Sequence, residues 1–512
     1  MFTVIRLVIF AMLGLTTVVL QLLSQQATID TAFVRAIGTG VPNGAFLSVI
    51  TTQRNGGILL GGNFTTFNGV NAPRIVRLLS DGTIDRQFLA NVGAGFQTSS
   101  PSDIVQINSI VEQSDGKILI GGFWSRYNNM PMPNLILRLN ADGTLDTEFS
   151  VELLSPVQKI ALQSDGTIIA LQSRYAYKIA PDGRRNLDFF NRIGTGIQTA
   201  VSGDVPRITS VTMMADNSFL VGGGFATMNN RPAPGLVRIT TNGDVDGSFQ
   251  TNFLSNRENK VLLAVIVGRD GKIAFGTEGA KGVVRLNPDG SPDNAFQQAL
   301  GNGLNLTPTI SALGALGSTT SIYSMALQRD NKILIGGIFS SYNGRPYNGV
   351  CRINNDGTLD TTFSVNLATN ADEAFIVRDV VLQNDNKVLL YGIGINRRTS
   401  AIRYVFTRLN ATVPTGVRDN STGSHIEPIV TISPNPIANM ATIEFDMPQR
   451  QYLSVNIYNS LGVEVVRLTE NTLTDGKQRL HWMTSGLTSG VYFVRVVMGS
   501  TIYSKSVIVG EF

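Results

Sequence analysis

Short apolar runs alternate along most of the chain with polar clusters rich in Asp, Asn and Gly. The segment QSDGKILIGGFW (113–124) recurs as QRNGGILLGGNF (53–64), MADNSFLVGGGF (214–225) and QRDNKILIGGIF (328–339), with weaker copies starting at 163, 268 and 383. The seven starts lie 60, 50, 51, 54, 60 and 55 residues apart. Each copy is followed by a second apolar run that ends on a cation, namely Arg77, Arg138, Lys178, Arg238, Arg285, Arg352 and Arg408. Six of the seven continue into a turn and a terminal Phe, as in NADGTLDTEF (140–149) and NNDGTLDTTF (354–363). A unit therefore reads as four short strands, with INSIVEQ innermost, then KILIGGFW, LILRLN and TLDTEF. Asp-Gly favours a tight hairpin, read here as a two-residue turn. Four strands at this period predict a β-propeller blade.

The seventh unit stops at Asn410 and lacks its last strand, while an orphan copy of that strand, ATIDTAF, stands at 27–33. Pairing the orphan into the last blade closes the ring and hides two sheet edges. The predicted fold is all-β: a seven-bladed β-propeller over 27–410, closed by an N-terminal strand. These units resemble the delta-60 repeat family of bacterial surface and secreted proteins, a resemblance that implies a propeller and no established activity.

Beyond Asn410, residues 411–426 are rich in Thr, Ser, Gly and Asp and are read as a linker. From 427 to 512 the chain alternates apolar and polar positions between turns, which predicts a small immunoglobulin-like β-sandwich. Here ISPNP (432–436), VNIYNSLGVEV (455–465), SGLTSGVYFVRV (485–496) and YSKSVIVG (503–510) resemble the type IX secretion system C-terminal sorting domain of Bacteroidetes-like bacteria. Pro434, Asn435, Pro436, Gly490, Tyr492 and Lys505 carry the resemblance. It implies type IX machinery as a partner, a secreted or cell-surface location, and removal of the domain by a surface protease within 411–428. At the other end, Arg6 precedes an apolar run to Leu23, which predicts a signal peptide over 1–24 cut after Ser24, with an uncleaved anchor as the alternative. No other segment is apolar enough to span a bilayer, so no stable transmembrane segment is expected after cleavage.

Composition narrows the chemistry. Lys+Arg 41 against Asp+Glu 37 gives a net charge of +4, too small at this length for a phosphate-backbone binder, so nucleic acid is not an expected partner. Two histidines and one cysteine exclude a disulfide framework and a Cys/His zinc site. His425 and His481 both fall outside the repeats, so a Ser-His-Asp triad is excluded there. The Asn-x-Asp-Gly-Thr-x-Asp strings have oxygens at calcium-loop spacing but lack the closing Glu, and hairpin turns account for them, so no metal is expected. Asp146 and Asp360 are read as tying down the last strand through local hydrogen bonds. The Gly-Gly pairs have no helix after them to make a phosphate cradle, and are read as sites of a bulge or of close approach between blades.

Loop length is asymmetric. In blades 1, 2, 4 and 6 the second strand is followed by FNGVNAPR, YNNMPMPN, MNNRPAPG and YNGRPYNG, and glycine-rich stretches precede the inner strand on the same face. That elaborated face is expected to present Phe67, Arg74, Arg126, Tyr127, Arg231, Tyr342, Arg345 and Tyr347, together with Asn68, Asn128, Asn229 and Asn343. Aromatic, Arg and Asn side chains suit recognition of a protein or glycan. The competing reading is that the Asn residues make turns and the aromatics pack between blades. The leading expectation is a non-enzymatic, cofactor-free binding or scaffold module. The alternatives are a carbohydrate-active enzyme using acids near the channel, with Glu112 and Asp379 as nominal candidates, or a purely structural surface component.

Overall fold

The computed structural model describes residues 27–510 except 101–102, 154, 201–204, 250–260, 279–281, 307–318, 369–371, 397, 400, 411–429, 435–436, 460–463 and 499–500. The signal peptide (1–24), the linker (411–426), His425, Asn435 and Pro436 lie outside the described residues. The chain divides into two compact units, Met1–Thr415 and Gly416–Phe512.

Among the described residues the first unit contains seven antiparallel sheets whose inner strands are Leu47–Thr52, Gln106–Glu112, Lys159–Leu162, Arg207–Met213, Leu262–Val267, Ser321–Leu327 and Glu373–Leu382. Each inner strand neighbours the next, and Glu373–Leu382 neighbours Leu47–Thr52, so the sheets form a closed ring. This is a β-propeller. The blade hairpins differ from the two-residue turn that Asp-Gly suggests. Gln113 N donates to Lys117 O (2.8 Å) and Gly116 N to Gln113 O (3.0 Å), a three-residue loop in which only the glycine is left-handed, at φ 84°. Asn217, Asn331 and Asn386 take the same position at φ 62–65°. The aspartate of each turn is occupied locally: Asp142 Oδ1 accepts from Thr144 N (3.0 Å) and Thr144 Oγ1 (2.7 Å).

The expected fourth strand shrinks to a single bridge in six blades, as at Leu139↔Leu145 and Ile353↔Leu359. Its residues instead build a buried cluster. The Asp360 carboxylate pairs with Arg352 (2.7 Å) and Lys332 (2.7 Å), accepts from Thr362 N (3.0 Å), and the Arg352 guanidinium lies 4.9 Å from the Phe363 ring centre. The same Arg–Asp–Phe arrangement recurs at Arg77/Asp85/Phe88, Arg138/Asp146/Phe149 and Arg285/Asp293/Phe296. This explains why the cation of a unit is followed by Asp-x-x-Phe in five of the seven units. In the last blade the partners come from opposite ends of the chain. Thr28–Ile29 pairs with Ile402–Asn410, Arg408 pairs with Asp30 (2.8 Å), and its guanidinium lies 4.1 Å from the Phe33 ring centre.

After four of these Asp residues or their Asn equivalent the chain turns into short helices of six or seven residues, Thr31–Ile37, Arg86–Val92, Leu187–Ile193 and Asn294–Ala299, each capped by the side chain of Asp30, Asp85, Asn186 or Asp293. These helices lead into the four blades that carry insertions. The inserted hairpins pair with the incoming segment in blades 2, 4 and 6, as Phe96–Gln97 does with Arg126–Tyr127. Each hairpin turns on a left-handed Asn, with Asn68, Asn128, Asn229 and Asn343 at φ 48–50°. Their Oδ1 atoms accept backbone N–H groups from the incoming Gly-x-Gly turn, at Thr39 (3.2 Å), Gly95 (3.0 Å), Thr195 (3.4 Å) and Gly303 (2.7 Å).

In the second unit two long strands, Met440–Asn459 and Glu464–Met483, pair along their length. The first half of Met440–Asn459 also pairs with Thr431–Ser433, and its second half with Gly490–Met498, which continues to Thr501–Val509. Register breaks between Met447 and Gln451 where the halves meet. Buried residues from both halves, among them Ile443, Phe445, Trp482, Val455, Ile457 and Val494, form one core, so the halves face each other as two layers of one connected sheet.

Candidate functional site

The Gly-Gly pairs organise the channel. Opposite each lies an inner strand with one residue too many: Ile107 pairs with Gly122 and Ser109 with Gly121, which leaves Asn108 over. The same shift leaves Ser48, Thr209, Leu263, Tyr323 and Arg378 unpaired in blades 1, 4, 5, 6 and 7. A bulge re-aims the extra residue out of the pleat. The second glycine accepts the displaced carbonyl: a Cβ at Gly62, Gly122, Gly223 or Gly337 would stand 1.9–2.1 Å from the opposing backbone oxygen. The first packs on the next blade, since a Cβ at Gly121 would meet Val157 at 2.6 Å. Both readings of the glycine pair hold, one for each residue. Blade 3, whose strand reads Ile168–Leu171 without the pair, has no shift, and Gln158 and Lys159 occupy the corresponding place.

All six bulged residues line one central cavity of about 720 Å³. It sits at the starts of the inner strands, toward the elaborated face. Phe46 (44% exposed), Tyr323 and Tyr404 bring aromatic surface, Gln106 and Asn108 bring amides, and Lys159, Arg207 and Arg378 bring positive charge. Arg378 lies 4.4 Å from the Tyr323 ring centre. Asp379 is the single carboxylate among the described lining residues, and it accepts from Ser324 Oγ (2.9 Å) and Val380 N (3.0 Å). Burial pushes the Asp379 carboxyl up from the usual range and the Lys159 ammonium down, each moderated by the other's charge. Glu112 does not join it, because its carboxylate accepts from Gln53 Nε2 (3.0 Å) and Arg54 N (2.9 Å) away from the cavity.

The residues expected on the elaborated face are distributed differently. Phe67, Tyr127 and Tyr342 are 0% exposed, packed in the cores between blades, and so cannot meet a ligand. For Tyr127 and Tyr342 the cause is the hairpin's pairing with the incoming segment, which folds the aromatic inward; Phe96 lies 5.0 Å from Tyr127, ring to ring. Arg74 and Arg126 donate to the carbonyls of Asn63 and Asn129 within their own loops. Arg231 and Arg345 are exposed and Tyr347 is half-buried. None of the eight lines the cavity. In the second unit, Gly490 opens the strand Gly490–Met498, Tyr492 is buried with its hydroxyl donating to Thr488 O (2.8 Å), and Lys505 is exposed. Among the described residues there is no helix long and apolar enough to cross a membrane and no cluster of three acids, His or Cys that could hold a metal.

Five segments, 53–88, 113–149, 215–249, 264–296 and 328–363, match the domain of unknown function DUF5122 beta-propeller, and 431–510 match the secretion system C-terminal sorting domain. No curated protein matches the chain. Similar solved structures include PorZ, a surface component of the type IX secretion system of Porphyromonas gingivalis (13% identity, 92% of this chain, TM-score 0.41), of whose length the chain spans 60%. A streptogramin B lyase (17% identity, 73% of this chain and 94% of that one, TM-score 0.42) and the virginiamycin B lyase of Staphylococcus aureus (13%, 72% and 97%, 0.42) are also similar. The chain is a secreted β-propeller of DUF5122 repeats that carries a C-terminal sorting domain directing it to the cell surface or beyond.

Proposed function

We propose that the propeller is a non-enzymatic binding module, delivered outside the cell by its sorting domain, whose ligand enters the central cavity from the elaborated face. The observation that carries this reading is the set of six bulges, which bring Ser48, Asn108, Thr209, Leu263, Tyr323 and Arg378 to the wall of one cavity, the first three braced on backbone carbonyls of the next blade. A volume of about 720 Å³ lined by aromatic and polar groups falls in the range of ligand pockets. Binding is favoured over glycoside hydrolysis because that chemistry needs two carboxylates flanking one bond, and among the described lining residues Asp379 stands without a second. The insertions support the mouth rather than form the contact surface, since Phe67, Tyr127 and Tyr342 are buried and the turn asparagines are engaged.

The full secreted chain should be screened against glycan arrays and surface-protein extracts, beside Arg378→Ala and Tyr404→Ala. A ligand held by the native protein, weakened at least tenfold in both variants and recovered chemically unchanged after prolonged incubation, is the expected result. Equal retention by the variants removes the cavity from the reading, and a processed ligand makes the protein an enzyme.

A further inference from the structure

The lining of the cavity is unbalanced in charge. Lys159, Arg207 and Arg378 face it against the single carboxylate of Asp379. Arg207 has Glu278 at 3.8 Å, both side chains well exposed, a weak pairing at the mouth. Among the described residues no carboxylate lies within ion-pair distance of Lys159 or Arg378, while the repeat cations outside the channel, such as Arg138 and Arg352, are closely paired. Holding cations in a confined space without a counter-ion is costly, and a ligand that brings the missing negative charge relieves that cost. Arg378 is held near the Tyr323 ring, 4.4 Å from its centre, and its guanidinium is the group suited to planar carboxylate recognition.

The remaining lining suits a sugar. Phe46 and Tyr404 offer flat apolar faces for the C–H surface of a pyranose, while Gln106 offers an amide group for hydroxyls. We propose that the cavity binds an acidic saccharide, one or more hexuronic acid units, with the carboxylate received by Arg378 and Lys159 and the ring laid against the aromatic wall. This inference rests on the binding role proposed above and assigns its ligand class. An entering carboxylate also favours the charged form of Lys159, as the Asp379 charge already does against the effect of burial.

The test uses the full chain and isothermal titration with trigalacturonic acid, its fully methyl-esterified form, maltotriose and succinate. The expected result is binding of the acid at least tenfold tighter than its ester or maltotriose, no comparable binding of succinate, and a loss on the order of 10–100-fold in Lys159→Met and in Arg378→Gln. Thermal melts of both variants report folding, and Arg207→Gln, at an exposed position, supplies a third variant expected to weaken the acid by a smaller factor. Equal binding of acid and ester, or of succinate and the saccharide, overturns the proposal. If the array screen yields a ligand that carries no carboxylate, the binding role stands and this inference falls; if neither screen nor titration yields any ligand, both fall.

Discussion

Tyr127 and Tyr342 carry their hydroxyls into the inter-blade cores, where neither finds a hydrogen-bond partner among the described residues. Burial raises both phenol pKa values far above the usual one, so both stay neutral. The equivalent residue in blade 1 is Phe67, which fills the same kind of site without a polar atom. Tyr342→Phe is therefore expected to be neutral or to stabilise by about 1 kcal/mol, and Tyr342→Ala to destabilise by about 3–5 kcal/mol, both read by chemical denaturation. Asp360 makes the opposite case, a polar group fully answered. Burial alone would raise its pKa, but hydrogen bonds from Lys332 and Thr362 and the charge of Arg352 outweigh that and hold it at about 2. Because this lies below the value of about 4 in an unfolded chain, the stability it contributes is complete above pH ~4 and is lost as pH falls toward 2. Asp30, Asp85, Asp146 and Asp293 shift in the same direction. Denaturation at pH 7, 4 and 2.5 should show the loss confined to the acid limb. Asp360→Asn should cost about 3 kcal/mol at pH 7 by leaving Arg352 buried without its counter-charge, and should flatten part of that limb.

A blade depends on the division of labour within its glycine pair. Gly122 faces the bulge, and a methyl group there would stand 1.9 Å from Gln106 O, which belongs to the backbone and cannot step aside. Gly122→Ala is expected to destabilise by at least about 1–3 kcal/mol and to displace Asn108 from the cavity. A combined measurement of melting temperature and ligand affinity checks this. Ser48→Ala, which keeps the bulge and removes only a hydroxyl, serves as the control and should leave the melt within a few degrees of the native protein. An unchanged melt in Gly122→Ala would mean that the bulge does not need the glycine.

At the scale of the ring, the repeat cations of five blades clasp the next blade, Arg285 through Asn355 O and four others in succession. Arg408 donates to Ser80 O, Arg77 to Ala141 O, Arg138 to Pro181 O and Lys178 to Thr241 O, so the clasp that begins in the last blade is carried forward into the first four. The join between blades 7 and 1 uses Asp30 and Phe33, which lie beyond the predicted cut after Ser24 and remain in the secreted protein. Asp30→Ala is expected to cost about 3–5 kcal/mol, because Arg408 is buried and loses its carboxylate, and proteolysis should then open the chain first near either end of the propeller. Cleavage starting in a central blade would show that closure is not the weak point. Export is decided separately. A chain ending at residue 415 should stay inside the outer membrane while the full chain reaches the surface or medium, as fractionation of the native host would show.

The sequence by itself determined the repeat and its closure. The period, the strand missing after Asn410 and the surplus strand at 27–33 are local properties, and strands of complementary pattern pair wherever a ring forms. The sorting domain was legible for the same reason, since its motifs are contiguous. Only the tertiary structure decided which side chains meet. The insertion aromatics looked like a contact surface because a hairpin tip is usually exposed, yet pairing with a segment about 30 residues earlier turned Tyr127 inward. The cavity was hidden more deeply. Its six bulged residues are Ser, Asn, Thr, Leu, Tyr and Arg, chemically unlike and separated by whole repeats, and a bulge shifts the two-residue alternation by one, so no pattern along the chain marks them. Closing the ring brings them together, because each stands at the same height on its own blade, in four of the six opposite a glycine pair that the sequence does repeat.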